Sequence, residues 1–244
     1  METIGLVLLL LALPVLFFLV ARVRSGKAGQ LRPLPAAEEL ADTVGRATET
    51  GRPFHVSVGV AGVGGSATAE TWAGLSLLAE LADEAAACET PLVVTVADPT
   101  VLPLAQDILR RAYNRQGHPE GYDATQVRFV ASEPLAYAAG VAGLLQREPL
   151  AGNIMVGSFG DEYLLMGETG ARAEVRQLVG TTDPRTLSLV YATADEALIG
   201  EEIFAASAYT KKLPIQIASL LTQDAARWVV VAAIILLTVF KILF

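Results

Sequence analysis

Three groups of residues have types and spacings that could do chemistry. The first is a glycine turn behind an apolar run: Gly59, Gly62, Gly64 and Gly65, followed by Ser66. A turn of this kind bares backbone N–H groups at a helix start, where an anion can sit. A dinucleotide motif needs G-x-G-x-x-G, and a phosphate loop needs Lys before Ser or Thr. This turn has neither, so the favoured reading is a tight strand-to-helix turn that needs residues without Cβ. The second group is Asp98, Ser132, Glu133 and Ser158. Asp98 with Glu133 could form a carboxylate pair for acid–base work or for a divalent ion. Asp98 also precedes Pro99 and a helix, Ser132 and Glu133 precede Pro134, and helix capping is favoured for both. The third group is His55, His118 and Cys88. Two isolated histidines and one cysteine make no metal-ligand cluster. Cys88 follows Ala85–Ala87 and reads as buried packing. No catalytic residue and no cofactor emerges, and the reading leans away from an enzyme.

The elements that must position these residues alternate. Glu38–Thr48 has helical spacing. Phe54–Val60, Leu92–Val96, Val127–Ala131 and Ile154–Phe159 are short apolar runs that read as buried strands. Helical spacing fills 69–87, with Trp72, Leu75, Leu78, Ala79 and Ala82 on one face, and continues at 101–116 and from Pro134 to Arg147. Strand and helix alternating three times predicts a parallel sheet. Its carboxyl ends would gather Gly62, Gly64, Gly65, Ser66, Asp98, Ser132 and Glu133 as a ligand-binding edge. Beyond Phe159 a different pattern is expected. Gly160-Asp161 reads as a hairpin turn leading to an antiparallel strand at Glu162–Met166. Further strands are expected at 174–180 and 187–192, and a helix over 194–208 with a capping box of Thr193 and Glu196. The expected fold is a three-layer α/β domain, mostly parallel, with an antiparallel C-terminal part.

Apolar runs flank this domain. Ile4–Ala21 carries no charge, and Ala225–Phe244 carries only Arg227 and Lys241. About 20 residues at 1.5 Å each cross a bilayer core. The expected organisation is a transmembrane helix at 1–21, a basic linker at 22–35, the α/β domain at 36–222 and a transmembrane helix at 225–244. Arg22, Arg24, Lys27 and Arg32 follow the first run, and Lys211, Lys212 and Arg227 mark the start of the second. Basic residues stay on the cytoplasmic side, so the domain is expected in the cytoplasm with both termini outside. The lone cysteine excludes an internal disulfide and suits a reducing compartment. Residues 36–222 hold 24 acidic and 12 basic side chains, a net charge of −12. That charge disfavours nucleic acid as a partner.

Several long segments carry a family resemblance: HVSVGVAGVGGSATAETWAGL, TVADPTVLPLAQDILRRAY, FVASEPLAYAAG and GSFGDEYLLMGETGARAEV. Over about 52–222 the chain resembles a bacterial membrane-protein family known as a domain of unknown function. The resemblance implies a bacterial inner-membrane setting and supplies no activity. Together the residues lead to a membrane-held binding or scaffold module, working by self-assembly as a homo-oligomer or by sensing a small ligand. The alternative is an enzyme acting on a small anionic or nucleotide-like substrate at the strand ends.

Overall fold

Three strands are buried along their whole length: β1 (Phe54–Gly59), β2 (Leu92–Val96) and β5 (Gln177–Thr181). A fourth, β4 (Gly152–Ser158), is buried up to its last residue. Strands covered on both faces belong to a parallel sheet with helices on each side. In the computed structural model, which describes residues 14, 17–25, 34–211 and 214–243, that is the arrangement. The short β3 (Val127–Phe129) and β6 (Glu196–Ile199) complete a six-stranded sheet of order β3-β2-β1-β4-β5-β6. Every neighbouring pair is parallel.

The helices of the domain are α1 (Pro35–Thr50), α2 (Thr68–Ala87), α3 (Leu102–Gln116), α4 (Pro134–Arg147), α5 (Tyr163–Arg172), α6 (Pro184–Thr193) and α7 (Glu202–Lys211). Alternate strand residues divide them between two faces. Phe54, Val56, Val94, Ile154 and Leu178 pack with Leu40, Leu78, Leu109 and Ile203 from α1, α2, α3 and α7. Val93, Met155 and Val179 pack with Tyr137, Tyr163, Met166 and Val190 from α4, α5 and α6. Three layers follow directly from the two-residue period of a strand.

The expected antiparallel C-terminal part is not formed. Gly160-Asp161 opens α5 instead of a hairpin: Tyr163 N–H donates to Gly160 O at 3.2 Å and Leu164 N–H to Asp161 O at 3.2 Å. Tyr163, Met166, Gly167 and Gly170 are buried at helical spacing, a period too long to see in the five residues read as a strand. Residues 187–192 lie in α6, which Asp183 caps through Arg185 N–H at 2.9 Å with Pro184 at the first helical position. The expected strand at 174–180 is β5, shifted to Gln177–Thr181. The expected helix at 194–208 divides into β6 and α7, and Thr193 caps nothing there: its hydroxyl bonds Leu189 O at 2.9 Å and Tyr163 OH at 2.7 Å.

Residues 34–210 form one compact unit, and the described residues before and after them form another. In the second unit residues 17–24 are helical, and α8 (Pro214–Leu243) runs for 30 residues. The first apolar run, Ile4–Ala21, lies mostly outside the described residues. The described residues of the second lie in α8, where Trp228, Val229, Val230, Val231 and Ile234 are exposed. Among the described residues no helix is long and apolar enough to cross a membrane.

Candidate functional site

The strand order reverses direction between β1 and β4. In an open parallel sheet the ligand crevice lies outside the carboxyl ends at such a reversal. β1 delivers the glycine turn to this edge, β2 delivers Asp98, and β3 delivers Ser132 and Glu133.

The turn and Asp98 meet. A Cβ built on Gly62 would overlap Asp98 Cγ and lie 2.5 and 2.6 Å from its two oxygens. The Asp98 carboxylate sits where a side chain at position 62 would be, and any residue but glycine there would have to displace it. Asp98 Oδ1 accepts from Thr100 N–H at 2.8 Å and from the Thr100 hydroxyl at 2.5 Å. That hydroxyl in turn accepts Val63 N–H at 3.1 Å. Asp98 Oδ2 takes no hydrogen bond among the described residues. The rest of the turn closes on itself: Gly64 N–H donates to Thr68 Oγ1 at 2.9 Å, and that hydroxyl donates to Gly65 O at 2.7 Å. Gly64 adopts φ +105°, which favours glycine, while Gly64, Gly65 and Ser66 are exposed.

Glu133 caps α4, its Oε2 accepting Ala136 N–H at 2.6 Å. No hydrogen bond joins it to Asp98 among the described residues, and Ser132 is exposed beside it. Ser158 contributes its backbone: its carbonyl accepts Val60 N–H at 2.9 Å. The two central strands pinch together here. A Cβ on Gly157 would overlap Val58 O, and one on Gly74 of α2 would overlap Val156 O. Among the described residues no three His, Cys, Asp or Glu side chains are grouped to hold a metal.

Beneath this edge runs a polar row that reasoning from the sequence missed. Gln177 Nε2 donates to Gly167 O and Thr193 O, both at 2.8 Å. Two carbonyls fix that amide's orientation, so Gln177 Oε1 accepts from Asn153 Nδ2 at 2.9 Å. Asn153 Oδ1 then accepts from His55 Nδ1 at 2.7 Å. Burial pulls the His55 pKa down to about 4, so the ring is neutral and its Nε2 accepts from the Thr95 hydroxyl at 2.8 Å. Tyr137 OH donates to Thr95 Oγ1 at 2.7 Å and accepts from Ser57 Oγ at 2.6 Å. Ser57 Oγ accepts Gly59 N–H at 3.3 Å. One orientation therefore satisfies every member, from α5 and α6 across four strands to the end of β1. Burial also raises the Tyr137 pKa to about 12, which keeps it a donor. The signal was present: His55, Ser57, Thr95, Asn153 and Gln177 interrupt strands that are otherwise largely apolar, all toward one face.

Two other residues differ from expectation. Cys88 is exposed just past α2, and Trp72 stands about half exposed on the side of α2 read as buried. Two concave sites lie away from the carboxyl edge, of about 380 Å³ beside His118 and about 460 Å³ beside α5, and neither includes a residue singled out for that edge.

The strand order, the two helical layers and the glycine turn at the reversal define a doubly wound α/β domain. The chain matches the family described as Domain of unknown function (DUF6754) over residues 2–244, and it belongs to that family. Comparison with curated proteins and with solved structures gave no match.

Proposed function

We propose that the chain is a membrane-anchored binding module whose α/β domain holds a small ligand at the carboxyl ends of β1 and β2. The observation that carries this reading is the strand reversal between β1 and β4, with the Gly62 turn and Asp98 at that edge. The chemistry of the edge favours hydroxyl groups over phosphate. The Val63 and Gly64 N–H groups are already bonded to threonine hydroxyls, and Asp98 brings a negative charge against the turn. A sugar diol could donate to Asp98 Oδ2, the role an acidic residue plays toward ribose in this topology.

The anchoring part rests on the two apolar runs of the sequence, Ile4–Ala21 and Ala225–Phe244. Valines and an isoleucine that stand exposed on a helix are stable against lipid and costly against water. The proposed setting is a bacterial inner membrane, with the domain on the cytoplasmic side and copies associating through their apolar helices. An enzyme acting on a nucleotide-like substrate at the same edge is the second reading, favoured by the strand order alone.

The test is thermal stabilisation of the detergent-solubilised full chain by adenosine and by ATP. Adenosine should raise the melting temperature, and Asp98→Ala and Gly64→Val should each remove the effect. No response to either compound would overturn the ligand reading, and a response to ATP alone would show that the edge recognises phosphate and not the sugar hydroxyls. Light scattering on the same preparation should give more than one chain per micelle, and a monomer would refute self-assembly.

A further inference from the structure

The concave site beside His118 lies at the opposite end of the sheet from the proposed ligand edge. It is bounded by Pro91, which immediately precedes β2, and by Gln126, which precedes β3. Its volume of about 380 Å³ falls in the range of small-molecule sites. We propose that it binds a small organic cation bearing a primary ammonium group.

The lining decides the sign of the ligand. Glu89 and Glu120 both line the hollow and approach His118 Nδ1 at 3.8 and 3.7 Å, and both side chains are three-quarters exposed, so their carboxylates are open to a ligand. No lysine or arginine lines it. Arg115, on the last turn of α3, is bound to Asp83 at 2.5 Å. The carbonyl ends of two helices also converge here. α2 ends at Ala87, two residues before Glu89, and α3 ends at Gln116, two before His118. Helix carboxyl ends carry a partial negative charge that favours cations. An anion would meet two carboxylates and two such ends.

The walls decide that the cation is organic. Among the described residues no three side chains are grouped to hold a metal ion. Tyr113, almost fully buried, forms an aromatic wall. It is held in place by Gln126 Nε2, which donates to its hydroxyl at 3.1 Å. The Tyr122 ring stands 6.4 Å away, tilted by 51°. Gly121 lies so close that a Cβ there would fall 2.9 Å from the Tyr113 ring. An alkyl ammonium fits this lining: its methylenes lie along Tyr113 and Pro91 while its N–H groups reach the carboxylates.

The experiment is calorimetric titration of the solubilised full chain with putrescine, with magnesium chloride and sodium acetate as comparisons, in 150 mM salt. Putrescine should bind at one site per chain. Glu89→Gln with Glu120→Gln should weaken it about tenfold or more, the loss expected when charge-assisted bonds are removed. Asp161→Asn with Glu196→Gln removes the same charge elsewhere on the domain and should leave the affinity unchanged. Both pairs exchange carboxylates for isosteric amides, and an unchanged melting temperature establishes that each variant is folded. Absence of putrescine heat up to 10 mM, equal weakening by both pairs, or binding of magnesium in preference to putrescine would each overturn the proposal.

Discussion

Lowering the pH from 7.5 to 4 should remove about 3 kcal/mol of stability through His55 alone. The ring is fully buried between Asn153 and Thr95, and desolvation lowers its pKa from 6.5 to about 4. The Asn153 hydrogen bond and Glu148 raise it, Arg128 lowers it, and burial outweighs them. In the unfolded chain the ring takes up a proton below pH 6.5, while in the folded chain it does so only below about 4. The unfolded state therefore binds more protons in that window, and stability falls as pH falls through it. A shift of about 2.5 units at 1.36 kcal/mol per unit, less the half-protonation at the end point, leaves about 3 kcal/mol. Many carboxylates titrate in the same range, so the measurement is a double difference. Urea unfolding of the native chain and of His55→Gln, at pH steps from 7.5 to 4, cancels the groups the two share. The stability advantage of the native chain over the variant should shrink by about 3 kcal/mol toward pH 4. A difference that stays flat within about 0.5 kcal/mol, or grows, would refute the neutral buried imidazole and with it the assigned direction of the polar row.

Gly74→Ala drives a methyl into Val156 O and should cost about 1–3 kcal/mol, read as a lower melting temperature. No loss would mean that α2 does not press on β4 as described. Cys88 is exposed, so a membrane-impermeant maleimide should label it in inverted membrane vesicles without denaturation and leave it unlabelled in sealed cells. Labelling from the cell exterior would reverse the proposed sidedness.

The first half of the domain was legible in the sequence because each element there carries its own physical signature. Short apolar runs such as Phe54–Val60 and Leu92–Val96 read as strands buried on both faces because a helix of proper spacing, α2, separates them. That Gly62 and Asp98 share the carboxyl edge was expected from the rule for strand ends, but their contact was not, because nothing local encodes it. The second half misled for a local reason. Tyr163–Arg172 and Pro184–Thr193 are ten-residue helices, barely three turns each, and their apolar residues fit a strand or a helix over a short window. Asp183-Pro184 was the cap signal that would have decided the second of them.

The sequence by itself determined which segments bury and with what period, because burial of apolar side chains is written residue by residue. It also determined the charge of the domain and the apolar runs beside it. Only the tertiary structure decided the strand order, since the partner of β1 on its far side, β4, lies nearly a hundred residues away and is chosen by packing across the whole sheet. Strand order in turn brought His55, Asn153 and Gln177 into one row and placed the reversal beside Gly62. Hydrogen bonds of that reach depend on register between distant strands, and no local pattern of residue types specifies a register.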